Sequence, residues 1–362
     1  MFYYLLYPLR EYSIFFNVFK YITFRAVGAS VTAFLIAIVL GPAVIQWLSH
    51  LSVINTTKRE HAEKIHSFYA QKGAVPTMGG ILIVGSLLIA NLLWGNLENR
   101  FLLVSLLVVI WFGLIGFVDD WLKLKQKNAR GLSGLVKLSG QLVLGIAIGI
   151  YLYADPHFSK LLYIPFFKQE ALTLGIWFIP FIVMVLAGTS NALNLTDGLD
   201  GLAVGCLAFA AGAFSILTYL AGRADFAQYL GIPFVAGSSE LAVFCASMVG
   251  AAVGFLWYNS YPATVMMGDT GSLSLGGALG VVAIFIKSEL VLLVVGGIFV
   301  WEAFSVILQV FSFRMFGKRL FLMSPYHHHL QLKGWPESKV TIRFWIVAFI
   351  LALIGISTLK LR

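Results

Sequence analysis

Residues 101–118 read FLLVSLLVVIWFGLIGFV, eighteen positions without one charged side chain. As a helix, such a run is long enough to cross about 30 Å of membrane hydrocarbon. Similar runs recur along the chain, and the ten predicted spans are 26–48, 76–94, 101–118, 138–154, 171–187, 202–221, 241–258, 271–286, 290–311 and 344–359. Their only charged residue is Glu302, and continuous apolar runs favour helices over the alternating strands of a membrane barrel.

The composition excludes an ordinary soluble globular protein. Of 362 residues, 59% are hydrophobic and 11% are charged, and the mean hydropathy is +0.89. The formal net charge of +9 is more typical of membrane-protein loops than of nucleic-acid binding in so apolar a chain. We predict an all-α, polytopic integral membrane protein with about ten transmembrane helices, in which residues 1–362 form a single transmembrane domain.

The distribution of Lys and Arg predicts the topology. The connections after odd-numbered spans carry 15 of the 25 basic residues, whereas those after even-numbered spans carry 5. The positive-inside rule therefore places the odd-numbered connections in the cytoplasm and both termini outside. The same face receives five of the seven aspartates and the histidines of segment 327–329. We expect a polar active site on this cytoplasmic face.

Two adjacent carboxylates, Asp119 and Asp120, follow the third span in the segment GFVDDWLK (116–123). Adjacent carboxylates repel each other unless a divalent cation or a cationic group lies between them. On a helix they point about 100° apart, so we expect one to bind a cation and the other to serve a different purpose. The alternative is a solvated helix C-terminus, although acids there oppose the helix dipole.

Acids and glycines are combined in NALNLTDGLDG (191–201). If this segment is helical, Asp197 and Asp200 share a face and the glycines expose backbone N–H groups. With Asn194, such a site suits the base and sugar hydroxyls of a nucleotide. The alternative is that these side chains cap a helix.

A further acid, Asp269, lies between two glycines in NSYPATVMMGDTGS (259–272), before a predicted helix that could face phosphate. Oxygen ligands suit Mg²⁺, so Asp119, Asp120 and Asp269 together form a candidate magnesium site. This connection contains no basic residue. Lys137, at the start of the fourth span, is the basic residue that we select for a phosphate.

Three consecutive histidines occur in PYHHHLQLKGWP (325–336). Zinc is disfavoured, because consecutive side chains diverge and no cysteine accompanies them on this face. Contact with phosphate or sugar, or a role in proton transfer, is favoured, and the alternative is that they hold the loop together. For Glu302 we favour a structural hydrogen bond inside the bundle over a functional role.

These motifs closely resemble those of the phospho-N-acetylmuramoyl-pentapeptide transferase family, the bacterial translocases I, within the superfamily of polyprenyl-phosphate N-acetylhexosamine-1-phosphate transferases. The resemblance extends from Phe16 to Arg362. The aspartate motifs mark the superfamily, whereas PTMGG (76–80) and the histidine segment followed by KGWP (333–336) point to this family. One departure is Met266, which replaces a usual phenylalanine and bears on nucleotide contact.

The resemblance implies a Mg²⁺-dependent, homodimeric enzyme of the bacterial cytoplasmic membrane. The implied reaction converts UDP-MurNAc-pentapeptide and undecaprenyl phosphate into lipid I and UMP during peptidoglycan synthesis. Implied by motif position are Asp269 as the Mg²⁺ ligand, Asp119 and Asp120 as catalytic acids, Lys137 as a diphosphate contact, and Asn194, Asp197 and Asp200 near the nucleotide or metal. To these we add Asp269, His327 and His328 as catalytic candidates, and Lys72, Asn259 and His329 as substrate-binding candidates.

Two other functions are considered beside this one. A sister transferase would act on UDP-GlcNAc. A secondary transporter would place ionisable residues near the bilayer midplane and often show internal repeats, whereas here the acids cluster at the ends of spans. Within the transferase interpretation, direct transfer and a route through a covalent phospho-aspartate both remain open.

Overall fold

The protein is a bundle of α-helices in the computed structural model, which describes residues 1–51, 75–126, 131–164 and 171–360. The helices are α1 (Phe2–Leu6), α2 (Ile22–Leu51), α3 (Gly80–Trp94), α4 (Arg100–Gln126), α5 (Gly134–Ala154), α6 (Phe178–Thr196), α7 (Leu202–Ala221), α8 (Ala224–Leu230), α9 (Leu241–Asn259), α10 (Gly268–Phe285), α11 (Glu289–Val295), α12 (Gly297–Phe316), α13 (Tyr326–Leu332) and α14 (Glu337–Ser357). Nine helices in these ranges are long and apolar enough to cross a membrane. The predicted all-α, polytopic membrane fold is therefore confirmed.

The predicted span 76–94 differs from the structure at its start. Helix α3 begins at Gly80 and has 15 residues, a length of about 22 Å, so it is shorter than the hydrocarbon layer. The four residues before Gly80 lie outside the helix, because Met78 has a φ of +71° and the chain pairs with another segment. The carbonyl of Pro76 accepts from the N–H of Met266 at 2.9 Å, and the N–H of Gly79 donates to the carbonyl of Met266 at 2.9 Å. The apolar sequence alone does not reveal this backbone pairing.

Two other spans also depart from the predicted runs. Strand β2 (Ala171–Thr173), at the start of the predicted span 171–187, pairs in antiparallel fashion with β1 (Leu161–Tyr163), and α6 begins only at Phe178. The predicted span 290–311 is divided between α11 and α12 at Gly296, where two consecutive glycines weaken the helix.

Helix α10 lies at the centre of the bundle and is almost entirely buried. It packs against α3, α4 and α6. Small residues permit this close packing in a membrane bundle, where helices associate by van der Waals contact. At Gly116 of α4, a Cβ atom would lie 2.2 Å from the backbone oxygen of Asp269. Glycine at this position therefore allows the C-terminal part of α4 to meet the first turn of α10.

Candidate active site

Three carboxylates meet where α4 passes the first turn of α10. Asp119, Asp120 and Asp269 each offer one oxygen atom within 4.8 Å of the others. Asp119 and Asp120 are 0% and 2% exposed, whereas the side chain of Asp269 is 13% exposed. The predicted meeting of these three acids is therefore observed, and Asp269 is the most exposed of the three.

Two lysines share these carboxylates. Lys123 Nζ lies 2.5 Å from Asp119 Oδ2 and 3.3 Å from Asp269 Oδ1. Lys137 Nζ lies 2.9 Å from Asp119 Oδ2 and 2.5 Å from Asp269 Oδ2. We call these five residues, Asp119, Asp120, Lys123, Lys137 and Asp269, the aspartate cluster. Its lysine side chains are the more exposed members, at 29% and 18%.

The two adjacent aspartates have different partners. Asp119 accepts from the backbone N–H of Leu132 at 2.7 Å and pairs with both lysines. Asp120 instead accepts from the backbone N–H groups of Asp269 and Thr270, at 3.2 and 2.9 Å, and from the Thr270 hydroxyl at 2.8 Å. Asp120 therefore caps the first turn of α10 from a neighbouring helix and fixes the backbone that carries Asp269.

The segment PTMGG (76–80) positions the same turn. Besides the bonds between Pro76, Gly79 and Met266, the N–H of Gly80 donates to the carbonyl of Met267 at 2.8 Å. The segment before α3 is thus hydrogen-bonded to the segment before α10. The PTMGG motif therefore helps to position the first turn of α10, which carries Asp269.

Two residues of the segment 191–201 lie beside α10. Asn194 Oδ1 accepts from the hydroxyl of Ser272 at 3.0 Å. Burial, and then the negative charge of Asp269, raise the pKa of Asp197 to about 8, although a hydrogen bond from the backbone of Gly268 opposes the rise. The carboxyl group of Asp197 is therefore mostly protonated at neutral pH.

Asp200 and Asn259 connect loops to each other. Asp200 Oδ2 accepts from the N–H of Ala263 at 3.0 Å, and Asn259 accepts from the N–H of Gly201 at 3.1 Å. Asn259 also donates to the carbonyl of Val265 at 2.8 Å. These contacts hold the connection 260–267 against the segment 197–201, and substrate binding by these two residues stays a prediction.

The three histidines occupy α13, and each Nδ1 atom has a different partner. His327 pairs with Glu302 at 3.2 Å, His328 lies 2.9 Å from Oε1 of Gln331, and His329 accepts from the N–H of Leu322 at 3.1 Å. Burial, together with Lys333, lowers the pKa of His329. Three divergent partners do not make a zinc site, and the one group of three or more potential metal ligands among the described residues is the set of acids described above.

Magnesium fits the donor set of the aspartate cluster. Carboxylate oxygens are the ligands that Mg²⁺ prefers, and the three acids place them close together. Asp119 and Asp269 pair with lysine ammonium groups, and Asp120 accepts hydrogen bonds from backbone N–H groups. Asp269 is the most exposed of the three acids. The residues that would hold the ion are therefore Asp269 first, with Asp119 beside it.

Lys123 and Thr270 contribute to the site but are not among the site residues assigned from the sequence. Lys123 follows Asp119 by four positions and Asp120 by three, a spacing that brings side chains together on a helix and could have identified it. Thr270 gave no comparable signal. Glu302 makes the structural hydrogen bond that was favoured for it, to the backbone N–H of His327 at 3.2 Å. Lys72 lies outside the described residues.

The chain is similar to known proteins over its whole length. The family model for glycosyl transferase family 4 matches residues 102–287. The chain is 51% identical, over 362 residues and all of both chains, to the phospho-N-acetylmuramoyl-pentapeptide-transferase of Geobacter sp. (strain M21). Proteins of the same name from Thermodesulfovibrio yellowstonii and Desulfotalea psychrophila are 51% and 50% identical, again with complete coverage of both chains. The chain therefore belongs to the phospho-N-acetylmuramoyl-pentapeptide-transferase family.

Proposed function

We propose that this protein transfers phospho-MurNAc-pentapeptide from UDP-MurNAc-pentapeptide to undecaprenyl phosphate, which gives lipid I and UMP. The observation that carries the proposal is the identity of 51% over the full length of a relative named for this transferase activity. The geometry supports it, because the aspartate cluster gathers carboxylates and ammonium groups where a membrane-spanning helix reaches its end. Such a site suits a reaction between two phosphates, one of which is attached to a membrane lipid.

The proposed chemistry is a direct displacement at phosphorus. An oxygen of the lipid phosphate attacks the phosphorus that carries the sugar, the bond from that phosphorus to the bridging oxygen breaks, and UMP leaves with the electron pair. A phosphomonoester has a second pKa near 6, so it is largely a dianion at pH 7. The attacking oxygen therefore needs no strong general base.

The lysines of the cluster would bind the phosphates. Lys123 and Lys137 now share the carboxylates of Asp119 and Asp269. Their flexible side chains can turn from these acids to the oxygens of an incoming diphosphate. Mg²⁺, when bound, would neutralise charge on the diphosphate, and Asp269 is the residue proposed to hold it.

Asp120 is proposed to position Asp269 rather than to attack or deprotonate a substrate. Its carboxylate accepts three hydrogen bonds from the first turn of α10 and is 2% exposed. Asp119 is 0% exposed and is paired with both lysines. These surroundings favour direct transfer over a covalent phospho-aspartate.

The setting proposed for the reaction is the cytoplasmic face of a bacterial inner membrane. The excess of basic residues in the connections of the odd-numbered predicted spans supports this orientation. A homodimer is proposed from the family resemblance. Labelling of single introduced cysteines from either side of sealed vesicles tests the orientation, and cross-linking in native membranes tests the dimer.

The decisive experiment measures UMP released by detergent-purified protein with Mg²⁺ and undecaprenyl phosphate. UDP-MurNAc-pentapeptide and UDP-GlcNAc are supplied in separate reactions, each with and without the lipid. UMP from the first donor, only when the lipid is present, is expected for direct transfer. UMP from UDP-GlcNAc alone would instead indicate a sister transferase, whereas a phosphosugar adduct on the protein without lipid would indicate the covalent route.

A further inference from the structure

Glu302 of α12 and His327 of α13 form a fully buried pair. The backbone N–H of His327 donates to Glu302 Oε1 at 3.2 Å, and His327 Nδ1 lies 3.2 Å from Oε2. Both side chains are 0% exposed. A carboxylate only accepts hydrogen bonds, so the proton of the imidazole must be on Nδ1 for this contact to be favourable. In the neutral ring, Nε2 is then an acceptor.

The Nε2 atom of His327 is buried and has no hydrogen-bond partner among the residues that the structure describes. It points at Gly198, where a Cβ atom would lie only 2.2 Å away. Gly198 lies between Asp197 and Asp200, in the segment that borders the aspartate cluster. A buried acceptor without a donor is costly, so its retention calls for a donor that the described residues do not supply.

The neighbouring histidines differ in their partners. His329 Nδ1 accepts from the N–H of Leu322, so in its neutral ring the proton is on Nε2 and that atom is a donor. His327 therefore presents the opposite polarity to His329. His328 has the same polarity as His327, because its Nδ1 faces Oε1 of Gln331 at 2.9 Å. In α13, however, His327 is the histidine whose Nδ1 contacts a carboxylate, that of Glu302.

We propose that Glu302 is a positioning residue, which holds His327 as the Nδ1–H tautomer so that Nε2 accepts a hydrogen bond from an N–H or O–H group of the UDP-sugar at the segment 197–201. The inference rests on the proposed function for the identity of the donor. Gly198 leaves room for the ring and allows this segment to shift when the substrate enters. Orientation of a histidine by a carboxylate through Nδ1 is a common way to fix its tautomer.

The kinetic test compares Glu302→Gln and Glu302→Asp with Gln309→Leu, a control on the same helix. Gln309 accepts from the N–H groups of Leu320 and Phe321 and holds the connection before α13 without touching a histidine ring. A glutamine at 302 has one acceptor oxygen for two donors. We expect Glu302→Gln to raise KM for the UDP-sugar about tenfold with kcat nearly unchanged, and Glu302→Asp to recover part of the loss.

A spectroscopic readout separates this inference from the proposed function. ¹⁵N-histidine NMR of the whole protein in nanodiscs is expected to show a signal with a protonated Nδ1 and an unprotonated Nε2 that belongs to His327 and is identified by its loss in His327→Asn. This signal should disappear in both His327→Asn and Glu302→Gln, whether or not UMP is released. The inference is overturned if the signal survives in Glu302→Gln, or if Gln309→Leu changes KM as much. If Glu302→Gln does not fold, Glu302→Asp must show the weakened signal and the raised KM, and wild-type values for both in this variant overturn the inference.

Discussion

The two ends of the bundle hold buried charge in different ways. At the end where α2 begins, both terminal nitrogens of Arg25 contact Glu240, at 2.5 and 2.9 Å, and the N–H of Asn96 donates to the same carboxylate at 2.7 Å. One cation faces one anion in a two-pronged contact. In the aspartate cluster, two ammonium groups serve three carboxylates. The matched pair joins the start of α2 to the segments before α4 and α9, whereas the unmatched negative charge of the cluster leaves room for a cation and a substrate.

The largest expected effect is on catalysis at the aspartate cluster. Asp269→Asn should lower the rate of UMP release about 10³-fold, because it removes the charge of the proposed Mg²⁺ ligand and keeps its shape. The matched control is Asp155→Asn at the opposite end, where Asp155 pairs with the partly exposed Arg100. This control should change the rate by less than about twofold. Equal losses of activity in Asp269→Asn and Asp155→Asn would show that charge at the two ends of the bundle does not have different functions.

Breaking the Arg25–Glu240 pair should affect stability instead. Arg25→Met leaves a buried carboxylate without its cation and should lower the free energy of unfolding by about 3 kcal/mol. The double variant Arg25→Met/Glu240→Leu should recover most of this loss, while UMP release per folded molecule stays unchanged in both. Denaturant unfolding and activity are measured on the same preparations. A double variant no more stable than the single one would show that the pair is not what stabilises this end.

A smaller catalytic effect is expected at Asp120. Asp120→Asn retains one acceptor oxygen for the first turn of α10, so activity should fall about tenfold and remain measurable. Asp120→Ala should lose more, because it removes every acceptor. Initial rates of UMP release at saturating substrate compare the two. If the rate of UMP release by Asp120→Asn is no higher than the rate without enzyme, this carboxylate takes part in the reaction itself.

The last prediction is a pH dependence of stability at Asp197. Its pKa is raised to about 8, above the ordinary value of 3.8, so the folded protein binds a proton that the unfolded chain has already lost. The stabilisation by this proton is full below about pH 4 and is lost as the pH rises through 8. Asp197→Asn should therefore gain stability relative to the wild type as the pH rises from 5 to 8. Melting curves without Mg²⁺ test this, and parallel curves for the two proteins would contradict it.

The sequence predicts the bundle better than its interruptions. Long uncharged runs indicate helices with little ambiguity, but β2 has three residues, too few to show a period. The break at Gly296 leaves the apolar run uninterrupted, so hydropathy does not detect it. The backbone hydrogen bond between Pro76 and Met266 depends on a segment almost two hundred positions away along the chain.

The acids of the site were also predictable, but their separate tasks were not. Consecutive aspartates on a helix point in different directions, and this predicted unequal roles for Asp119 and Asp120. Which of them caps a helix depends on Thr270, 150 positions away in sequence, so the pattern alone could not decide. Lys123 could have been assigned to the site from its helical spacing to Asp119 and Asp120. The Nε2 atom of His327, which has no partner among the described residues, can in contrast be recognised only in the three-dimensional structure.

The central claim is that the unmatched negative charge of the aspartate cluster binds a divalent cation. The most direct measurement is titration of the detergent-purified protein with Mn²⁺, a paramagnetic substitute for Mg²⁺, followed by electron paramagnetic resonance without substrate. We predict one site per chain, with affinity at least about tenfold weaker in Asp269→Asn and unchanged in the Arg25→Met/Glu240→Leu variant. Equal binding by the wild type and Asp269→Asn would contradict the account.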